Sequence, residues 1–228
     1  MILFPLLTEN PFGLPGLFWR EGRFQPGPLA TPLSGQAPEL LYLGDPLGPA
    51  RATLPEALHS AVPKRQSEYL AGRICAALAL RAAGLPEVLG LQGRAPVWPA
   101  GAAGSISHSD SRVVAAVSRD HAALGVDCET IMPEDQARTL TGMIMTPAET
   151  ALRPETIGLA AFLTLVFSAK EALYKAISAR HARMLEFHDV LLTGIAGDRL
   201  HMAQGKQDFQ ARFQLDRTEV LTLVLVQS

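Results

Sequence analysis

The architecture of this chain follows from two segments, Leu124-Gly-Val-Asp-Cys-Glu-Thr130 and Phe167-Ser-Ala-Lys-Glu-Ala-Leu-Tyr-Lys-Ala176. The first has the composition of a buried strand, on which Asp127 and Glu129 face the same side because they are two residues apart. The second has the pattern of a helix, on which Glu171 and Lys175 are neighbours because they are four residues apart. Together they predict three carboxylates and a lysine that converge on a divalent cation and a polyphosphate.

Each half of this site has a simpler alternative. A lone Asp-x-Glu pair is more often a solvated strand end. A Glu–Lys pair four residues apart is equally compatible with an exposed ion pair that stabilises a helix by roughly 0.2–0.5 kcal/mol. The largely apolar helix around Glu171 favours the site. Hard oxygen ligands without His or Cys would suit Mg²⁺ or Mn²⁺.

The composition indicates a globular protein rather than a disordered one. Hydrophobic residues make up 48% of the 228 residues and charged residues 18%, and the net charge of −2 argues against a general nucleic-acid binder. Cys75 and Cys128 are too few for a disulfide framework, so we expect reduced, buried thiols and a cytoplasmic protein. The apolar stretch 1–18 is interrupted by Pro and Gly and fits neither a signal peptide nor a membrane span.

Hydrophobic periodicity predicts an α+β fold, because strands and helices occur in blocks. Residues 1–60 are dense in Pro and Gly and are predicted to form loops with one or two short strands. The segment Arg112–Ser118 predicts a strand that pairs with a second strand, Ala122–Glu129. The predicted helices are Ser67–Ala83, Glu134–Met143 and Thr156–Ala179, and the C-terminal strands, expected to form a meander with the last one central, are Val190–Ile195, Leu200–Ala203, Phe209–Leu215 and Val220–Val226.

Two further motifs predict anion binding. The segment Gly104-Ser-Ile-Ser-His-Ser-Asp110, expected as a loop ahead of a strand, offers hydroxyls, a His and backbone amides. Its alternative is a Ser/Asp-rich turn with a surface His. Arg65 and Arg73 are about two helical turns apart and could clamp one phosphate. Two solvated arginines would explain that spacing equally well.

The order of these motifs resembles the 4′-phosphopantetheinyl transferases, in particular the enterobactin-synthase component and surfactin-type branch that serves siderophore and other nonribosomal peptide synthetases. The resemblance covers roughly residues 60–190. It is carried by the two segments quoted first and by three others, Arg65-x-x-Glu-Tyr-Leu-Ala-Gly-Arg73, Arg94-x-Pro-x-Trp-Pro-x-Gly101 and Gly104-Ser-Ile-Ser-His108. Two departures are Cys128, where an aliphatic residue is usual, and Phe167, where many relatives have Trp.

The resemblance implies a magnesium-dependent enzyme that moves phosphopantetheine from coenzyme A to a serine of an apo carrier protein and leaves 3′,5′-ADP. The family pattern assigns Asp127, Glu129 and Glu171 to Mg²⁺ and Lys175 to a phosphate of coenzyme A. It also implies further contacts to coenzyme A by Arg65, Arg73, Arg94, Ser107, His108 and Lys170. The serine proton would pass to Glu171 or to a metal-bound water.

The family fold implies two similar α+β halves related by a pseudo-two-fold axis, each a small antiparallel sheet packed on a long helix, with the active site between them. We therefore expect an N-terminal, nucleotide-binding half at residues 1–118 and a C-terminal, magnesium-binding half at 119–228. A monomer is expected, since the two halves supply their own interface.

Carrier proteins are typically acidic, so a basic rim is expected around the site. Its candidates are Arg138, Lys170, Arg180 and Arg183. Two other functions fit the same motifs. One is a module that binds coenzyme A and regulates a synthetase without turnover, and the other is a Mg²⁺-dependent phosphohydrolase that acts on free nucleotides.

Overall fold

The computed structural model describes residues 1–29, 37–93, 95–178 and 185–227. They form two compact units, Met1–Arg119 and Asp120–Ser228, and each unit combines antiparallel strands with helices. The predicted α+β class is confirmed. None of the helices in these residues combines the length and the apolar character that a membrane crossing needs.

The first unit is built on a four-stranded antiparallel sheet with the order β1-β2-β8-β7. Two small hairpins, β3–β4 and β5–β6, complete its strands. The strands are β1 Ile2–Leu3, β2 Leu17–Gln25, β3 Glu39–Tyr42, β4 Ala50–Thr53, β5 Gly90–Gln92, β6 Ala95–Val97, β7 Ala103–Ser109 and β8 Arg112–Ser118.

Helix α1, Pro63–Ala82, packs on this sheet and corresponds to the helix predicted over Ser67–Ala83. Pro63 opens the helix, where its missing N–H costs no hydrogen bond, and Gly84 follows its end with a φ of +67°. A Cβ atom at Gly72 would lie 2.8 Å from Ile106 on β7. This close approach brings the start of α1 next to the last residues of β7.

The second unit is a five-stranded antiparallel sheet with one long helix on it. Its sheet order is β10-β11-β12-β13-β9, so the last strand is interior, as predicted. The elements are β9 Ala123–Thr130, α2 Glu134–Ile144, α3 Pro147–Thr150, α4 Leu159–Ile177, β10 Val190–Ala196, β11 Arg199–Gln204, β12 Gln207–Leu215 and β13 Glu219–Val226. A 3₁₀ turn, Phe187–Asp189, leads into β10.

Three predictions of local structure are wrong. β8 and β9 do not form a hairpin, because β8 pairs with β2 and β7 while β9 pairs with β13. The segment predicted as an anion-binding loop is strand β7, whose Ser and Gly residues are held by pairing with β8. The described part of residues 1–60 contains four strands rather than one or two, since the Arg and Glu residues of β2 obscure its pattern.

The contact between β9 and α4 is unusually close at Gly125. A Cβ atom there would overlap the carbonyl oxygen of Ala172, and it would lie 2.9 Å from the backbone nitrogen of Ala176. Gly125, Asp127 and Glu129 share one face of β9 because side chains alternate along a strand. Gly125 therefore sets how near Asp127 comes to the helix.

We predict that Gly125→Ala lowers the free energy of unfolding by about 1–3 kcal/mol, because the backbone of α4 would have to move away from β9. Urea unfolding followed by circular dichroism measures this change. The matched control is Gly142→Ala, at an exposed helix position where no atom lies within 4 Å of an added Cβ. This control should be neutral or stabilising by up to about 1 kcal/mol, and equal unfolding midpoints for Gly125→Ala and the native chain would contradict the prediction.

Candidate functional site

Asp127 of β9 forms an ion pair with Lys175 of α4. The Nζ of Lys175 lies 2.7 Å from Oδ1 of Asp127 and also donates to the carbonyl oxygen of Val126 at 3.1 Å. The Asp127 side chain is 4% exposed and that of Lys175 is 29% exposed. The predicted convergence of strand and helix is therefore present in the second unit, with lysine as the counter-charge of Asp127.

Two buried hydroxyl groups, on β13 and on α4, fix the position of α4 on the sheet. Thr222, which is paired with Asp127 across β13 and β9, donates through its hydroxyl to the carbonyl oxygen of Ser168 at 3.0 Å. The Ser168 hydroxyl lies 2.9 Å from that of Thr222 and must donate, since the single Thr222 proton is already used. Glu171, almost one turn further along the helix, is thereby fixed close to Asp127.

Glu171 is half-buried, and its pKa is raised above its ordinary value. Burial is the larger cause and the negative charge of Asp127 the second, while Lys175 offsets part of the shift. The two carboxylates thus interact electrostatically, and a positive charge between them would favour the ionised form of Glu171.

Glu129 lies two residues beyond Asp127, where β9 becomes accessible to solvent. Within the part of the chain that the structure describes, no three His, Cys, Asp or Glu residues are arranged as a metal-binding group. The three predicted ligands are therefore not assembled around one point, and Lys175 provides the positive charge at Asp127. In donor chemistry the set still fits a hard cation, since it consists of carboxylate oxygens alone.

Lys170, which is predicted to contact coenzyme A and to belong to the basic rim, is buried in the second unit. Its side chain is 2% exposed, and its Nζ donates to the carbonyl oxygens of Ile144 and Phe187 and lies 2.7 Å from Oε1 of Glu149. These three acceptors match the three N–H donors of the ammonium group. The predicted roles of Lys170 at coenzyme A and at the carrier-facing rim stay predictions, and these contacts do not support them.

A cavity of about 480 Å³ opens beside Glu171 in the second unit. One wall is the face of α4 that carries Glu171 and Tyr174, and the other is the segment that leads into β10. Most of the lining side chains are apolar or aromatic; the full lining is Met143, Lys170, Glu171, Tyr174, Leu185, Glu186, Phe187, His188 and Val190.

The first unit contains a cluster of polar side chains between α1 and β7. Arg65 lies 3.3 Å from Nε2 of His108, and Glu68 approaches Arg65 at 3.5 Å and Nδ1 of His108 at 3.8 Å. Arg65 and His108 are both partly accessible, with side chains 41% and 32% exposed. The structure thus places two of the predicted phosphate-binding residues side by side.

The other predicted phosphate ligands are placed differently. Ser107 is buried and faces the opposite side of β7 from His108, so the two side chains do not point at one anion together. Arg73 donates to the carbonyl oxygens of Leu89 and Gly90 and stacks on Tyr69. The remaining basic candidates, Arg94, Arg180 and Arg183, lie outside the described residues, and Arg138 is exposed on α2.

Three residues that contact the predicted site residues or set their position were not assigned a role from the sequence. Gly125 acts through its missing side chain, Glu68 through its contacts to Arg65 and His108, and Glu149 through its ion pair with Lys170. For Glu149 a signal existed. Thr146-Pro-Ala-Glu149 has the spacing of a capping box, and the structure contains that box at the start of α3.

Two family models match the chain in sequence order. Residues 54–118 match the 4′-phosphopantetheinyl transferase N-terminal domain, and residues 123–224 match the 4′-phosphopantetheinyl transferase superfamily. The first match contains the Arg65–His108 cluster. The second contains Asp127, Glu171 and Lys175.

Curated relatives are similar to this chain over about half of its length. Enterobactin synthase component D of Salmonella typhi is 45% identical over 125 residues, which are 54% of this chain and 53% of that protein. The Escherichia coli K12 protein of the same name is 48% identical over 122 residues, 52% of this chain and 58% of that protein. The 4′-phosphopantetheinyl transferase Svp of Streptomyces mobaraensis is 41% identical over 133 residues, 53% and 52% of the two chains. The chain thus spans between half and three fifths of the length of these relatives.

We predict that Glu171→Gln raises the melting temperature at pH 7.5 in buffer with EDTA. A carboxyl group whose folded-state pKa is raised favours folding below its unfolded value of 4.5 and loses that contribution as the pH rises through the folded-state pKa. Glutamine removes the buried negative charge, so the gain should be largest near neutral pH and should shrink as the pH falls toward 4.5. Scanning fluorimetry across this pH range measures it.

Glu155→Gln, at an exposed position outside the cluster, is the matched control and should change the melting temperature little at any pH. A Glu171→Gln variant that melts below the native chain at pH 7.5 would show that the ionised carboxylate stabilises the fold, contrary to the prediction.

Proposed function

The chain belongs to the 4′-phosphopantetheinyl transferase superfamily, and from this membership we propose that it transfers phosphopantetheine from coenzyme A to a serine of an apo carrier protein. The serine oxygen bonds to the phosphorus that carries pantetheine, the pyrophosphate bond breaks, and 3′,5′-ADP leaves with the bridging oxygen. The observation that carries the proposal is the arrangement of Asp127, Glu171 and Lys175 within the residues matched to the superfamily.

Asp127, Glu129 and Glu171 are the residues that we propose hold Mg²⁺. Their carboxylate oxygens have the chemistry that Mg²⁺ prefers, and the negative charge of Asp127 contributes to the raised pKa of Glu171. When bound, the ion would neutralise negative charge on the pyrophosphate as it is broken. The Nζ of Lys175 lies 2.7 Å from Oδ1 of Asp127 and would add a second positive charge at the same phosphates.

Arg65 and His108 are the side chains of the first unit that we propose bind the nucleotide phosphate. They lie 3.3 Å apart and are partly exposed, so that one anion could accept hydrogen bonds from both. Ser107 and Arg73 stay predictions, with less support from the geometry. Arg94, which lies outside the described residues, stays a prediction as well.

The cavity beside Glu171 is our candidate for the pantetheine arm. The arm is an uncharged chain with amide groups, and a mostly apolar cavity of about 480 Å³ is in the size range of small-molecule sites. Its position beside Glu171 would bring the arm and the reacting phosphate to the same end of α4.

The acceptor is proposed to be a peptidyl, aryl or acyl carrier protein, and a role in siderophore or other secondary-metabolite synthesis is the expectation that goes with it. The support is the similarity to proteins named enterobactin synthase component D. Of the four basic residues predicted for the rim, Arg138 is exposed on α2 and remains a candidate. A monomer in the cytoplasm stays a prediction.

The proposed reaction is tested by the intact mass of an apo peptidyl-carrier domain incubated with this protein, coenzyme A and Mg²⁺. We expect a gain of one phosphopantetheine that EDTA abolishes. Asp127→Asn should slow the transfer by about 100-fold or more, since it removes one of the three carboxylates proposed to hold Mg²⁺. Asp208→Asn, at an exposed position on β12, is the matched control and should transfer at the native rate.

Other outcomes would contradict the proposal in distinct ways. Coenzyme A binding without transfer to peptidyl or acyl carriers would indicate a regulatory module. Phosphopantetheine released without any carrier would indicate a phosphohydrolase. Full activity of Asp127→Asn would remove the metal assignment while leaving the reaction intact.

A further inference from the structure

Lys170 is a charged side chain with all of its hydrogen-bonding capacity used inside the protein. Its three N–H donors match three acceptors: Oε1 of Glu149 at 2.7 Å, the carbonyl oxygen of Ile144 at 2.8 Å and that of Phe187 at 2.9 Å. Ile144 ends α2 and Phe187 begins the 3₁₀ turn before β10. One ammonium group therefore joins α4 to two segments that are distant from it in sequence.

Glu149, the partner, is used just as fully. Its Oε1 also accepts the backbone N–H of Leu192 on β10 at 2.8 Å, and its Oε2 accepts that of Thr146 at 2.8 Å. Both side chains of the ion pair are 2% exposed. Burial opposes ionisation of Glu149, but the hydrogen bonds from Leu192, Lys170 and Thr146 outweigh it and lower its pKa.

Stability alone does not account for such a pair. Removing two charges from water is costly, and replacing a buried ion pair by apolar residues of similar size is often neutral or stabilising. What the pair supplies that apolar contacts do not is direction, because each hydrogen bond restricts distance and angle. Phe167 and Phe187 already pack together at 5.4 Å between ring centroids, so an apolar contact joins the same segments.

The segments joined by the pair are the walls of the cavity beside Glu171. Phe187 lines one wall, and its carbonyl oxygen accepts a hydrogen bond from Lys170. Met143, which precedes the Ile144 that also accepts from Lys170, lines the cavity as well. The opposite wall is the turn of α4 that follows Lys170 and carries Glu171 and Tyr174. Movement of either wall would change the width of the cavity next to Glu171.

We infer that Lys170 and Glu149 are positioning residues that hold the two walls of this cavity at the separation that the pantetheine arm requires. The inference rests on the proposed function, in which the arm occupies the cavity. Neither residue touches the reacting phosphate in this assignment. They act through the backbone groups of Phe187, Ile144 and Leu192 of β10.

The test compares two ligands that differ by the arm. Coenzyme A contains phosphopantetheine and 3′,5′-ADP lacks it, so the ratio of their dissociation constants reports the contribution of the cavity and its neighbouring phosphate. We expect Lys170→Met to weaken coenzyme A binding by about tenfold or more while the dissociation constant of 3′,5′-ADP changes less than about twofold. Calorimetric titration of the full chain with each ligand in Mg²⁺ measures both constants.

Lys206→Met, at an exposed turn position, is the matched control and should leave both constants unchanged. Glu149→Gln and the double variant Lys170→Met/Glu149→Gln complete the cycle. Because the pair acts as one unit, the double variant should lose about as much selectivity for coenzyme A as either single variant, not the sum of the two. The double variant leaves no buried charge without its partner, so it can be used for the comparison if a single variant fails to fold.

If the variants weaken the binding of coenzyme A and of 3′,5′-ADP equally, the pair has a merely structural role and the inference is overturned. Unchanged dissociation constants, or a double variant that is also unfolded, would overturn it too. The transfer assay on the native chain is read separately. If the native chain transfers phosphopantetheine but the variants keep the native ratio of the two dissociation constants, only the positioning role is contradicted. If the native chain binds coenzyme A without transfer and Lys170→Met shows the expected change in that ratio, only the proposed reaction is contradicted.

Discussion

The second unit depends on one close approach, that of α4 to β9 at Gly125. Because no Cβ atom stands between them, the carbonyl oxygen of Ala172 and the backbone nitrogen of Ala176 come almost against the strand. Lys175, one residue before Ala176, then lies over Val126 and Asp127 and donates to both. A larger residue at position 125 would lift the helix and lengthen these contacts together, so the geometry of the charged residues follows from the packing of uncharged ones.

Charge compensation is the second constraint, and two lysines of one helix meet it in different ways. A carboxylate buried without a counter-charge would be protonated or would destabilise the fold. Lys175 compensates the charge of Asp127 at an accessible position, where an anionic ligand can compete for Lys175 or a cation can compete for Asp127. Lys170 compensates Glu149 where both side chains are 2% exposed and every donor is used. The first arrangement suits a binding site, whereas the second suits a fixed joint between segments.

The sequence was sufficient wherever a prediction depended on local periodicity or on one spacing. Helices α1, α2 and α4, strands β8 and β9 and the four C-terminal strands lie close to their predicted bounds. The shared direction of Asp127 and Glu129 follows from a period of two on a strand, and that of Glu171 and Lys175 from about 3.6 on a helix. The pairing of β8 with β9 was wrong because two neighbouring strands of suitable length are equally able to form a hairpin or to enter separate sheets. That choice depends on β2 and β13, which are about 90 residues away from them in sequence.

Side-chain direction sets the limit of motif-based prediction, as the consecutive residues Lys170 and Glu171 show. They differ by about 100° around the helix axis, which directs Lys170 toward Glu149 and Phe187 and Glu171 toward Asp127. A sequence motif records both residues as one block and so suggests that both side chains face the same site. Ser107 and His108 present the same problem on a strand, where neighbours face opposite sides and His108 alone meets Arg65. Adjacent residues of a motif are therefore better assigned separately, each by the surface toward which the local period turns it, and a residue turned toward the core can serve the same site by holding its walls in place.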